Sequence, residues 1–195
     1  MELRGDFSRM LPRLRQGRLQ QELLVKAARI KGAEAPTAVD CTAGLGEDSL
    51  LLAAAGFTVT LFERDQTIAA LLADALERAA ADPRLAEAVG RMTLVTGDSV
   101  AGLAALPEPP DVVYLDPMFP ARTKSAAVKK KFQLLHHLEQ PCEEEEALVA
   151  AALAAQPRKV VIKRPAKGAL LAGMKPSYSV AGKAVRYDVL VPPRP

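Results

Sequence analysis

At 195 residues, 49% hydrophobic and 25% charged, the chain has the size and composition of one soluble globular domain; its start, "MELRGDFSRM", has no apolar core, so no signal peptide is expected, and apolar runs such as "ALVAAALAA" fall short of the ~20 residues of a membrane span. Cys41 and Cys142 lie 101 positions apart with no CxxC and no histidine ligand nearby, which argues against a disulfide scaffold or any metal site and fits a reducing cytoplasm. The net charge of +3 divides into +5 over residues 1–31, −10 over 32–120, +5 over 121–131, −5 over 132–157 and +8 over 158–195, an asymmetry that suits a polyanionic partner.

Residues 1–31 read as a basic, helical amino-terminal segment ahead of a main domain over 32–195. That domain alternates strand and helix. "TAVDC" (37–41), "FTVTLF" (57–62), "MTLVT" (92–96), "DVVYL" (111–115) and "KVVIK" (159–163) are short β-branched runs of the kind buried in a parallel sheet. Helices are expected over about 47–55, over 67–81, just after Ser99, and over 143–155, where "EEEE" places anions at the amino end. In the second, apolar residues at 68, 71, 72, 75 and 76 form a one-sided stripe. "YSVAG" and "VRYDVLV" read as a closing hairpin around Gly182. The fold class is therefore α/β, a doubly wound, mostly parallel, Rossmann-like sheet ending in an antiparallel hairpin.

In such sheets ligands bind beyond the carboxyl ends of the strands, where strand order reverses. The first strand runs into "DCTAGLGEDS": Asp40, then Gly44 and Gly46, then Glu47 and Asp48 opening a helix. The glycines permit a tight turn and close approach to a ligand. Ser49 stands where a dinucleotide fingerprint has its third glycine. The second strand delivers Glu63 and Arg64, and an acid there can accept hydrogen bonds from both hydroxyls of a ribose. The third delivers Asp98 and Ser99, the fourth Asp116. Acids at the ends of four successive strands disfavour a cradled pyrophosphate. They suit a cofactor that joins positive charge to a nucleoside, and S-adenosylmethionine has a sulfonium, an ammonium and an adenosine.

The fourth strand continues into "DPMF", Asp116 to Phe119. An Asp-Pro-x-Phe element suits methyl transfer to an exocyclic or amide nitrogen, whose lone pair is delocalised. Asp116 and the Pro117 carbonyl can accept hydrogen bonds from the amine while Phe119 stacks on the base. Orientation and amine polarisation then supply most of the catalysis. The basic run "ARTKSAAVKKK" follows, with Arg122, Lys124, Lys129, Lys130 and Lys131 available to phosphates, as are Lys163 and Arg164 in "KRPAKG" and the cations of "RLRQGR" (13–18). His136 and His137 are expected on a helix without a catalytic role, and Cys41 as a small buried residue.

"VDCTAGLGEDSLLLAAAG", "LFERD", "VVYLDPMFP", "KSAAVKKK" and "VVIKRP" together resemble the RsmJ family of small-subunit ribosomal RNA guanine-N2 methyltransferases, from about residue 12 to the end. The resemblance implies a class I methyltransferase domain, S-adenosylmethionine as cofactor at Glu47–Asp48, Glu63–Arg64, Asp98–Ser99 and Asp116, and methylation of a guanine N2 amine in 16S ribosomal RNA. Against the family pattern, Glu47 stands where arginine is common and Cys41 where alanine is, and an amino-terminal extension is expected to be missing. The residues alone leave open a methyltransferase for another amine (adenine N6 or protein glutamine), a nicotinamide-dependent oxidoreductase, which Ser49 and the Asp-Pro-Met-Phe element disfavour, or a non-catalytic RNA-binding protein.

Overall fold

The computed structural model describes residues 4–117 and 145–193. Within them, seven strands form one sheet: β1 (Thr37–Asp40), β2 (Thr58–Glu63), β3 (Met92–Thr96), β4 (Val112–Leu115), β5 (Lys159–Pro165), β6 (Tyr178–Ala181) and β7 (Val185–Leu190). Their order is β3-β2-β1-β4-β5-β7-β6. The first five are parallel, whereas β7 is antiparallel to β5 and to β6. From β1 the chain builds outward through β2 and β3, then crosses back to lay β4 on the other side of β1. That reversal makes the crevice beyond β1 and β4 the expected ligand site.

Side chains alternate between faces. On one face Ala38, Val59, Leu61, Val112, Tyr114, Val161, Tyr187 and Val189 join a cluster with α3 (Glu47–Ala54) and α4 (Gln66–Ala80). On the other, Val39, Phe62, Val113, Leu115, Val160, Ile162 and Leu190 pack with α6 (Ser99–Ala104) and α7 (Glu145–Ala154). The two helices on the first face differ as their sequences require. In α3, Leu50, Leu51, Leu52 and Ala53 are all buried, so the helix is covered all round. In α4 burial follows the stripe: Ile68, Leu72 and Ala75 are buried and Leu71 and Leu76 half-buried. Asp65 caps α4, accepting from the Thr67 and Ile68 N–H groups at 2.8 and 3.0 Å, a type of cap whose loss costs about 1 kcal/mol.

The second cover of α3 is the amino-terminal segment, which contains α1 (Leu11–Leu14), α2 (Leu23–Ala28) and 3₁₀ turns at Phe7–Met10 and Leu19–Gln21. Phe7, Met10, Leu19, Leu24, Val25, Ala27, Ala28 and Ile30 belong to the same buried cluster as α3, while Arg9, Arg15 and Arg18 stay exposed. Lys159 ties the end of α2 to β5 by donating to the carbonyls of Ala27 and Arg29 at 3.2 and 2.7 Å, a favourable place for a cation. A short helix, α5 (Ala86–Val89), leads into β3. Among the described residues no helix is long and apolar enough to cross a membrane.

Candidate active site

The turn after β1 is held from three directions. Gly44 (φ 53°) and Gly46 (φ 75°) adopt left-handed backbone that L side chains rarely take. At Gly46 the constraint is also steric: a Cβ would lie 2.7 Å from Leu72 Cδ1 and 3.2 Å from the Phe7 ring. The amino-terminal segment therefore presses on the back of this turn. From the side, Glu63 at the end of β2 accepts from the Gly44 N–H at 3.0 Å and, with its other oxygen, from the Asp65 N–H at 2.8 Å. From below, Asp40, 1% exposed, accepts from the Thr42 N–H at 2.9 Å and from the Ser49 hydroxyl at 2.5 Å. Ser49, at the position of the missing third glycine, anchors α3 to the floor of the site. Burial pushes the Asp40 carboxyl up to about 7 against the lowering effect of those hydrogen bonds.

On the β4–β5 side, strand register fixes a second group. Leu115 pairs with Ile162, so Asp116 and Lys163 each follow a registered pair by one residue. Both fall on the Tyr114 face, as does Asp40, which pairs with Tyr114. The Lys163 ammonium donates to Asp48 Oδ2 at 2.6 Å and to Asp116 Oδ2 at 2.9 Å. The buried Tyr114 hydroxyl donates to the same Asp48 oxygen at 2.7 Å. The Asp116 backbone is fixed as well: its N–H donates to Thr42 Oγ1 at 2.7 Å, and that hydroxyl lies 3.3 Å from Asp40 Oδ1. Burial pushes the Asp116 carboxyl up and Lys163 pulls it back without restoring its ordinary value. Burial alone would lower Lys163, but Asp48 and Asp116 together push it up. Tyr187, its ring centroid 6.5 Å from that of Tyr114, is pushed up by burial and by Asp48.

The residues expected at the site meet at this edge in different ways. Asp40, Gly44, Gly46, Asp48, Glu63 and Asp116 converge around the two turns, and Pro117 is buried directly after Asp116. Glu47 is exposed in the first turn of α3, and Arg64 is exposed just past Glu63. Asp98 caps α6 through the Val100 and Ala101 N–H groups, at 3.3 Å each, with Ser99 buried behind it. Lys163 and Arg164, read from sequence as phosphate ligands, both turn inward, which corrects that reading. Lys163 is held by two carboxylates. Arg164 points to the opposite face, is 3% exposed and donates through Nε to the Ala169 carbonyl at 2.8 Å. Phe119, Arg122, Lys124, Lys129, Lys130, Lys131, His136, His137 and Cys142 lie outside the described residues. Thr42 escaped the sequence reading although it stands inside "DCTAG"; its signal was a hydroxyl two residues past a strand-ending aspartate, an Asx-turn pattern.

This donor set fits S-adenosylmethionine. Glu63 is 7% exposed and burial raises its carboxyl; its oxygens accept from the backbone N–H groups of Gly44, Asp65 and Arg64 and keep acceptor capacity for a ribose hydroxyl. Asp40, Glu63 and Asp116 are all shifted up by burial, so a cationic ligand would relieve the edge they form.

Comparison with known proteins agrees. A family model described as putative SAM-dependent methyltransferase matches residues 2–192. The ribosomal RNA small subunit methyltransferase J of Thioalkalivibrio sulfidiphilus is 50% identical over 175 residues, covering 89% of this chain and 69% of that protein. The protein of the same name from Aeromonas salmonicida is 47% identical over 169 residues, covering 86% and 68%. A crystal structure of a SAM-dependent methyltransferase from Neisseria gonorrhoeae superposes with a TM-score of 0.80 at 35% identity, covering 98% of this chain and 75% of that one. The sheet, the acid-rimmed crevice and these relatives agree: the chain is an S-adenosylmethionine-dependent methyltransferase and belongs to the family of the ribosomal RNA small subunit methyltransferases J.

Proposed function

We propose that this enzyme methylates the exocyclic N2 amine of a guanine in small-subunit ribosomal RNA, in the cytoplasm. The observation that carries the reading is the setting of Asp116. It ends the strand beside the reversal point, with its backbone held by Thr42 and one carboxylate oxygen held by Lys163. A carboxylate fixed at both ends can accept a hydrogen bond from an amine and aim its nitrogen. The guanine N2 lone pair is delocalised into the ring, so polarising the N–H bond raises the electron density available for attack. Bound S-adenosylmethionine supplies an electrophilic methyl group. Glu63 would hold its ribose, and Gly44 and Gly46 let the backbone lie close; Asp98 and Ser99 would meet the adenine end, with Glu47, Asp48 and Arg64 at the rim. Phe119 is assigned to base stacking and Arg122, Lys124, Lys129 and Lys130 to phosphates.

The names of the relatives favour ribosomal RNA over other amines. The substrate class is tested by tritiated methyl transfer to unmethylated ribosomal RNA and small subunits, with DNA and bulk protein as competitors. Label entering RNA or subunits supports the proposal. Label entering only DNA or protein turns it toward adenine N6 or a glutamine side chain.

A further inference from the structure

The polar group least explained by cofactor binding is the chain Tyr114–Asp48–Lys163–Asp116. We propose that Lys163 is a positioning residue for methyl transfer: anchored by Asp48, it holds Oδ2 of Asp116 and leaves Oδ1 as the anionic acceptor for the substrate amine. This inference rests on the assignment of Asp116 to the amine.

Three observations carry it. First, register makes the contact obligatory, since Lys163 stands one residue past Ile162 as Asp116 stands past Leu115, on the same face of adjacent parallel strands. Second, the anchor is itself fixed. Asp48 lies in the first turn of α3, and its Oδ2 accepts from both the Tyr114 hydroxyl at 2.7 Å and Lys163 at 2.6 Å. The ammonium is thereby set between two carboxylates instead of following Asp116 wherever it moves. Third, the neighbourhood is rich in acid. Asp40 and Asp48 press on Asp116 from the β1 and α3 sides, Tyr114 and Tyr187 lie on the β4 and β7 sides, and Lys163 and Arg164 of β5 supply the positive charge. Without Lys163, burial beside Asp40 and Asp48 would favour the protonated carboxyl, which is the weaker acceptor for an amine N–H. A lysine serving RNA phosphates would point outward, whereas this one directs two of its three donors to Asp48 and Asp116.

The test compares the whole chain with Lys163→Met, which removes charge and hydrogen bonds, and with Lys163→Gln, which removes charge but retains a donor if packing is the difficulty. Lys163→Arg retains the cation. In cofactor-free protein the Asp116 carboxyl is followed by ¹³C NMR and assigned by its disappearance in Asp116→Asn. The expected result is a titration midpoint about one to three pH units higher in the Met and Gln variants and close to wild type in the Arg variant. The acid limb of kcat should move up with it, while the KM for RNA barely changes. An unmoved midpoint and acid limb overturn the proposal, as does a loss confined to RNA affinity, which would return Lys163 to the phosphates. Asp116→Ala separates the two levels. If that variant turns over like wild type, the assignment of Asp116 itself fails; if it is inactive while the Lys163 variants titrate like wild type, the lysine inference alone fails.

Discussion

The two halves of the carboxyl edge are built from the same residue type by different means. On the β1–β3 side, carboxylates are mainly held by backbone amides: Glu63 by Gly44 and Asp65, Asp98 by Val100 and Ala101, and Asp40 by Thr42 with help from the Ser49 hydroxyl. On the β4–β5 side they are held by side chains, with Asp48 and Asp116 sharing Lys163 and Tyr114 donating to Asp48. Backbone donors cannot titrate and move only with the loop, so the first half is a rigid seat suited to a cofactor of constant shape. A lysine between two acids sets a charge state, so the second half suits a group that must accept a particular hydrogen bond during chemistry. We propose that similar acids do different work because different donors hold them.

The largest expected break in this division comes from Asp116→Ala. Turnover should fall about 10²-fold or more, the scale of losing a group that positions and polarises a reacting proton, while the fold persists because the side chain is partly exposed. Circular dichroism alongside single-turnover methylation checks both halves of that statement. Glu63→Ala should instead weaken S-adenosylmethionine or its demethylated product by about 1–3 kcal/mol, the range for leaving ribose hydroxyls without a charged acceptor. Calorimetry decides, and an unchanged affinity removes Glu63 from the seat.

A smaller effect tests the buried floor. The folded Asp40 carboxyl stands at about 7, above an unfolded value of about 3.9. Its native state therefore binds the proton more tightly than the unfolded chain does. The resulting stabilisation is full below about pH 4 and is lost as pH rises through about 7. Asp40→Asn mimics the protonated form, so its melting temperature should gain on wild type between pH 4 and pH 8 in cofactor-free protein; parallel curves would show that Asp40 does not titrate there. Smallest of all is the effect of replacing Lys129, Lys130 and Lys131 by glutamine. RNA binding should weaken alike for all sequences, and the log–log salt slope should flatten by up to about 0.7–0.9 per lost phosphate contact. Filter binding across a salt series reads this, and an unchanged slope assigns the run to solvent.

Much of the fold was legible because buried parallel strands are short β-branched runs with sharp ends. Met92–Thr96 falls where the sequence placed it, and the Tyr178–Ala181 and Val185–Leu190 hairpin turns near Gly182 as expected. The amino-terminal segment was harder. Its charge was plain, but Phe7 and Met10 reach the core through short turns with no helical period long enough to read, so the approach of Phe7 to the Gly46 turn was not visible. Lys163 was assigned to phosphates from its charge and from the fifth strand bordering the fourth, and only the pairing of Leu115 with Ile162 shows that it faces Asp116. Ser49 was legible as a departure from a glycine pattern, but its bond to Asp40 depends on how α3 docks.

The atom that receives the methyl group tests the central claim most directly. Ribosomal RNA methylated by the purified enzyme, digested to nucleosides and resolved by mass spectrometry against standards, should carry the label in N2-methylguanosine, and the Asp116→Ala enzyme should leave that peak nearly absent. Label in a ring-nitrogen or ribose-methylated nucleoside would contradict the account, because an acceptor fixed at Asp116 aims an exocyclic amine, not a ring nitrogen or a ribose hydroxyl, at the methyl group.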